Sequence, residues 1–280
     1  MMVNQIRAKN GIPYDSLSYE NALARRSKVL ATVLGVLMLT GPLDEGVSAM
    51  ETYFNPDAFA DGAPRRFATL VTEGRYEEAI AAAADLPAGV NTLGDQNETA
   101  LLLAVERGRT DGARVLLEAG ADPNGGADRA PLVIAVRLPE LDAAKLLLSA
   151  GADPAGRLGG DTPLHRAAAL GRQDAVEMLL SAGASVDQLD RRGTTPALAA
   201  AMPDRWRIVL HLLEQGAHLA FADPAGFTVG AVAAFSKLSP SAPDGPALQD
   251  VIKRWKDAGL PWPPPTPPQV RELKKTGGWP

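Results

Sequence analysis

The sequence predicts an all-α solenoid, a row of stacked helix-turn-helix units joined by inter-repeat hairpin loops. Two anchors that keep one register predict it. The first is Gly-Ala after a leucine-rich segment, at Gly120-Ala121, Gly151-Ala152, Gly183-Ala184 and Gly216-Ala217, spaced 31, 32 and 33 residues. The second lies 21 residues before each of those glycines, at Thr99, Ala130, Thr162 and Thr195. A period of 31 to 34 residues from about Ala68 to Leu260 dictates the architecture, because units this small cannot enclose their own apolar faces and must stack.

Each unit can be justified residue by residue. A threonine hydroxyl accepts from free N–H groups of a first helical turn, and the Pro that follows at 163 and 196 presets φ without leaving an N–H unpaired, so a helix starts there. Alanines such as Ala167, Ala168 and Ala200 let successive first helices approach closely. Val and Leu at i, i+3 and i+4 form the buried stripe of the second helix, and a left-handed Gly stops it. The same register places irregular units at both ends. Upstream, Gly74 stands 34 residues before Gly108, and Val90-Asn91 fills the hairpin position. Downstream, Gly226-Phe227-Thr228 opens a unit whose second helix runs from Ala247 to Ala258. Ten extra residues within Ser236 to Gly245 lengthen the turn between its helices.

The expected organisation is a leader and signal segment at 1–49, a degenerate capping repeat at 50–92, four repeats at 93–223, a degenerate repeat at 224–260 and a Pro-rich tail at 261–280. In the leader, Arg25, Arg26 and Lys28 precede the apolar run Val29 to Leu39. Gly41-Pro42 and the small residues of Val47-Ser48-Ala49 follow, which is the order of a secretory signal. The stretch Met1 to Leu23 is long and neither apolar nor basic, so either translation starts downstream of Met1 or the leader is extended. A buried helix and an uncleaved membrane anchor are the other readings, and Arg25-Arg26 raises twin-arginine export against the Sec route. In the tail, proline density at 261–268 excludes helix and central strand, a short polar helix follows, and Trp262 is expected to fold back over the last helix pair.

The unit resembles the ankyrin repeat. Asp161-Thr162-Pro163-Leu164-His165-Arg166-Ala167-Ala168-Ala169-Leu170-Gly171, continuing through Val176, Leu179-Leu180 and Ser181-Ala182-Gly183-Ala184, follows that family's consensus almost throughout, and the resemblance covers about two thirds of the chain. The resemblance implies that His165 ties hairpin to helix, and that another protein is met by the concave face and the hairpin tips. By register, one row of the concave face is Leu103, Ile134, Arg166, Ala199 and Val232, and the next is Glu106, Arg137, Ala169, Met202 and Phe235. Hairpin tips add Arg157, Leu158, Arg191, Arg192 and Phe221. Apolar rows with arginines near the middle suit a protein interface. Leu103 and Phe235, the terminal members, have the alternative of being covered by the irregular end units.

Other chemistries are not expected. The net charge of −5 and a pI near 5.3 give no basic field for nucleic acid or an anionic membrane, so membrane contact is expected only through an uncleaved leader. The chain has no cysteine, and His165, His211 and His218 lack metal-ligand spacing, so neither metal nor cofactor is expected. Gly125-Gly126 and Gly159-Gly160 lack the Lys-Ser/Thr of a phosphate loop and are read as hairpin turns needing positive φ. Asn97, in a glycosylation-like Asn-Glu-Thr, is read as a turn residue. With no nucleophile elbow and with Glu77-Glu78 on a solvated face, no enzyme is expected.

The expected function is therefore that of a monomeric protein-binding module. Its Ala-, Arg- and Pro-rich composition suggests a bacterium, and the leader suggests the periplasm. The chain resembles periplasmic ankyrin proteins that act as immunity factors against toxins delivered by type VI secretion. The ending Gly259-Leu260-Pro261-Trp262-Pro263-Pro264 adds to that resemblance. The alternative is an envelope accessory factor that supports a periplasmic enzyme such as a catalase. A translocated effector that binds a host protein is disfavoured by the leader.

Overall fold

The computed structural model describes residues 59–95 and 97–280, and the leader expected at 1–49 lies outside them. The described residues form helix pairs in chain order: α1 (Ala63–Glu73) with α2 (Tyr76–Ala83), α3 (Ala100–Glu106) with α4 (Thr110–Glu118), α5 (Pro131–Ala135) with α6 (Asp142–Ser149), α7 (Pro163–Leu170) with α8 (Gln173–Ser181), α9 (Pro196–Ala201) with α10 (Trp206–Glu214), and α11 (Val229–Phe235) with α12 (Gly245–Asp257), followed by α13 (Pro267–Lys275). Among the described residues β-structure is limited to isolated bridges in the hairpins, and no helix is long and apolar enough to cross a membrane. The chain is the all-α solenoid its two anchors describe.

Helix starts follow the threonines. Thr99, Thr162, Thr195 and Thr228 sit in extended conformation and accept from the N–H groups of Leu102, His165, Leu198 and Ala231, a cap that stabilises a helix by about 1 kcal/mol. Second helices end on Gly120, Gly151, Gly183 and Gly216, each with φ near 90°. Between the two layers runs a leucine row, Leu116, Leu147, Leu179 and Leu212, each 0% exposed, and burying each side chain contributes roughly 1.5–3 kcal/mol. Each leucine is enclosed by neighbouring units, so this row is the physical content of the stacking.

The unit that opens at Ala130 departs from this plan. Ala130 has no capping side chain, and α5 is short, ending at Ala135. Its neighbour compensates. The Ala130 N–H donates to the Arg157 carbonyl at 2.8 Å, and Arg172, just before α8, donates through Nη1 to the Leu138 carbonyl and through Nη2 to the Pro139 carbonyl. Carbonyls left over by the missing helical turn are thus satisfied from the next unit.

The two ends close differently. At the N-terminal end α1 buries Phe67, Leu70 and Val71, and the Tyr76 ring lies directly on Gly112 of α4, where a side chain would collide with it. At the other end, residues 236–244 link α11 to α12, and Asp244 Oδ1 accepts from the Arg207 N–H in the first turn of α10 at 2.8 Å. The long turn therefore caps the preceding unit's second helix. The tail continues the closure. Trp279 Nε1 donates to the Ala220 carbonyl at 2.8 Å, Lys274 Nζ to Ala222, Arg271 to Ala225, and the Trp279 ring centroid lies 6.3 Å from that of Trp255. Trp262 is half-buried against the core with Lys256 Nζ 5.1 Å from its ring. Helix α13 lies so close to the last hairpin that a Cβ on Gly226 would meet the Pro267 backbone.

The hairpin glycines serve two purposes. Gly125, Gly159 and Gly160 have positive φ, as does Asn97 at 62°. Gly126 does not, contrary to the turn geometry expected for it. Its lack of a side chain is required because the Asn97 carbonyl approaches where a Cβ would stand.

Candidate protein-binding face

The face is built from the first helices and the hairpins that lead into them. His165 joins the two. Its Nδ1 lies 2.8 Å from Thr162 Oγ1 and its Nε2 2.8 Å from the Thr194 carbonyl in the next hairpin. Burial lowers its pKa, which keeps the ring neutral, so Thr162 O–H donates to Nδ1 and Nε2–H donates to the carbonyl. One side chain thereby fixes the spacing between its own helix and the following tip.

The tips are also bonded to one another. Asp128 accepts from the Gly160 N–H at 3.1 Å and from Arg191 Nη2 at 2.6 Å across two unit boundaries. Arg157 donates to the Gly160 and Leu189 carbonyls, and Asp161 receives both Arg166, at 2.8 Å, and Arg192, at 3.5 Å. Asp190, whose side chain is 2% exposed, is held by Arg192 Nε and by the N–H groups of Arg192 and Thr194. The three central hairpins form one strip, and Arg166 connects it to the helix row.

Against this geometry the expected rows divide. Leu103, Ile134 and Val232 are 1%, 3% and 7% exposed, so they belong to the core and not to the open face. The position is shallow. An aliphatic side chain there lies down between adjacent first helices, whereas Arg166 packs its stem and brings its head out to Asp161. Ala199 is half-buried. The second row, Glu106, Arg137, Ala169, Met202 and Phe235, is half-buried along its whole length. Among the tips, Arg191 and Arg192 are exposed, while Leu158 is half-buried and bridges to Arg129 and Asp161. Arg157 differs from the role expected of it, since its guanidinium joins two hairpins. Phe221 also differs: it is half-buried on a hairpin whose carbonyls on either side, Ala220 and Ala222, are held by the tail.

Three apolar residues of the face escaped the sequence reading. Leu170 is 45% exposed at the end of α7, Leu189 is 41% exposed on a tip, and Leu138 is half-buried. The signal was available: one step beyond the second row, the same register gives Arg107, Leu138, Leu170, Pro203 and Ser236, with leucines where solvated positions favour polar residues.

Electrostatically the face changes along its length. Burial raises the Glu106 carboxyl to about 7 against the opposing pull of Arg137, Arg107 and Arg129. Burial, then the nearby Arg166, lowers the pKa of Arg137, while Glu106 raises it. Toward the C-terminal side the row becomes Ala169, Met202 and Phe235. Among the described residues no group of His, Asp or Glu is placed to hold a metal ion.

A helical-repeat solenoid with a continuous, partly apolar face and a bonded strip of hairpins defines a binding scaffold. The family profile described as ankyrin repeats (3 copies) matches residues 70–157 and 132–223, and the chain belongs to the ankyrin-repeat family. Ankyrin repeats generally bind other proteins, and their members are typically non-catalytic. No curated protein matches the sequence.

Proposed function

We propose that this chain is a non-catalytic protein-binding module of the bacterial cell envelope, and that it serves as an immunity protein, seated over the active-site mouth of a secreted toxin so that substrate is kept out. The observation that carries the binding reading is the open face running from Arg137 and Arg166 through Ala169 and Leu170 to Met202. It combines arginine heads with exposed aliphatic surface on a rigid helical support. Export is supported by the order of basic, apolar and small residues in 25–49, and the immunity role by the resemblance to periplasmic ankyrin proteins of that kind.

The test is co-expression with the product of the adjacent gene. A stable complex is expected, and Leu170→Glu and Met202→Glu should each weaken it by at least about tenfold. Leu170 is 45% exposed, so its variant should leave the melting curve in place, whereas Met202 packs partly on the core and its variant is compared at a temperature where it is folded. Periplasmic expression of the chain should protect cells from the toxin. Complex formation without protection removes the immunity role and retains the binding module; a complex indifferent to both substitutions removes the face.

A further inference from the structure

The hairpin strip holds more hydrogen-bond donors than its own acceptors consume. Asp128, Asp161 and Asp190 each accept two or more internal bonds and are occupied. The arginines around them are not saturated. A guanidinium carries five N–H donors, whereas Arg191 is bonded through Nη2 alone. The Arg166 side chain is 18% exposed, gives Nη2 to Asp161 and has its Nε–H out of solvent, so that nitrogen is not offered to a partner. The Arg191 and Arg192 side chains are 69% and 52% exposed. On the opposite side the second helices expose Glu118, Asp142, Asp174 and Glu177 together with Arg114 and Lys145. A chain of net charge −5 therefore presents a face with spare cationic donors; Leu189, whose carbonyl accepts from Arg157, lies in the hairpin strip, and Leu170 is exposed at the far end of α7.

We propose that the occupant of this face is an acidic segment of a partner protein that carries an apolar anchor: its carboxylates meet Arg137, Arg166, Arg191 and Arg192, and its anchor rests on Leu170 and Met202. The inference rests on the binding reading above and names the chemistry of what is bound. Bidentate carboxylate pairing suits guanidinium forks, and complementary charge sets specificity and encounter rate.

Glu106 supplies the pH signature. It faces Arg107 and Glu98 from its own unit and Arg129 and Arg137 from the next, and on the α1 side the register places Thr72 beside it with Glu73 one residue on. Asp111 of α4 is exposed on the opposite face. While ionised, Glu106 offsets Arg137 and repels an incoming carboxylate. Once protonated it does neither, and the field at Arg137 becomes more favourable to an incoming carboxylate. With a carboxyl that titrates near 7, docking strengthens as pH falls from 8 to 6.

The test uses the chain with four fluorescein-labelled probes at 0.15 M salt, about the physiological ionic strength: an Asp/Glu-rich peptide with a central Leu-Phe pair, the same peptide without that pair, a Lys-rich peptide with it, and a single-stranded oligothymidine. Anisotropy should show binding of the first probe above all others, tightening about tenfold from pH 8 to pH 6. Glu106→Gln should remove the pH dependence, and Leu170→Glu should weaken binding about tenfold with an unchanged melting curve. Arg191→Gln, which gives up only its exposed pair with Asp128, should weaken binding severalfold with at most a small shift in melting temperature. Equal binding of the oligothymidine, or of the acidic peptide without its anchor, reduces the effect to charge alone and overturns the proposal. So does failure of the first probe to bind, or persistence of the pH dependence in Glu106→Gln. If the Lys-rich peptide binds best and Leu170→Glu abolishes it, the face stands and the acidic partner falls. If the first probe binds and no face variant weakens it, both readings fall.

Discussion

The unit that opens at Thr162 and the unit that opens at Ala130 are neighbours with the same spacing between anchors, yet they are held together in different ways. The first carries its own polar framework: Thr162 caps α7, Gly171 ends it with φ 75°, and His165 reaches the next hairpin. The second has Ala130 in place of the threonine, Val133 in place of the histidine, and a helix of five residues. What it lacks is supplied from outside by the Arg157 carbonyl at one end of α5 and Arg172 at the other. In a solenoid a unit need not be complete, because a nearest-neighbour contact can replace an internal one. The consequence is direction: the Ala130 unit depends on the Thr162 unit more than the reverse.

The largest expected effect comes from breaking the self-sufficient unit. His165→Ala removes two buried hydrogen bonds, leaving the Thr194 carbonyl with only the Asp190 N–H and the Thr162 hydroxyl without its ring acceptor, at a cost of about 2–3 kcal/mol. That corresponds to a melting-temperature decrease of roughly 4–12 °C for a domain of this size. Because the dependent unit leans on this one, hydrogen exchange should accelerate in α5 as well as in α7 to α9. Burial holds the His165 pKa down, so the unfolded chain binds more protons in that range. The stabilisation is fully present above the unfolded value near 6.5 and is lost as pH falls below it. The variant should lose that acid-side slope, and a scan of urea midpoints against pH checks it.

Glu106 gives a slope of the opposite sign on the other side of the dependent unit. Its carboxyl is raised to about 7, so the folded chain holds the extra proton, and stability falls as pH rises from the unfolded value of 4.5 through about 7. Glu106→Gln should therefore stabilise the protein at pH 8 by about 1–2 kcal/mol, a figure reduced from the full shift for its partial exposure, and by nothing measurable at pH 4.

A smaller effect isolates the dependence itself. Arg172→Ala removes the donors to the Leu138 and Pro139 carbonyls and the ion pair with Asp174, which lies at an exposed site and contributes little. A loss of about 1 kcal/mol is expected, located in α5 and α6 by hydrogen exchange. Arg172→Lys should not restore it, because one ammonium cannot fork between two carbonyls as the guanidinium does.

This contrast also marks what the sequence disclosed. Period, caps, stops and the long turn before Gly245 were legible, since each depends on a local rule about threonine, proline, glycine or leucine spacing. At the positions the register assigns them, Arg166 and Met202 are half-buried and Arg191 is exposed. The register did not show that Leu103, Ile134 and Val232 would be buried where Arg166 emerges, because side-chain length decides exposure at a shallow position. Nor did it show Arg172 reaching back to Leu138, or Trp279 and Lys274 closing the last hairpin. Those contacts join residues 34 to 59 positions apart with no repeated partner to reveal them.

The smallest effect tests whether dependence can be removed by making the unit complete. Ala130 is already extended, at φ −60° and ψ 117°, and its N–H bond to Arg157 does not involve the side chain. Ala130→Ser places a hydroxyl where the Val133 N–H can find it, as Thr162 does for His165. Space is limited, because Gly156 packs on the Ala130 methyl, so the hydroxyl has to turn toward α5. In the native chain the Val133 N–H donates to the Ala130 carbonyl at 3.1 Å, and the new cap improves on that bond without creating one from nothing. The gain should lie at the low end of capping effects, about 0.5 kcal/mol by urea denaturation. A second measurement gives it meaning: in the Ala130→Ser background, Arg172→Ala should cost less than it does alone. Equal costs in both backgrounds would show that Arg172 secures the end of α5 independently of how the helix begins. In that case the unit's weakness is its missing final turn and not its missing cap.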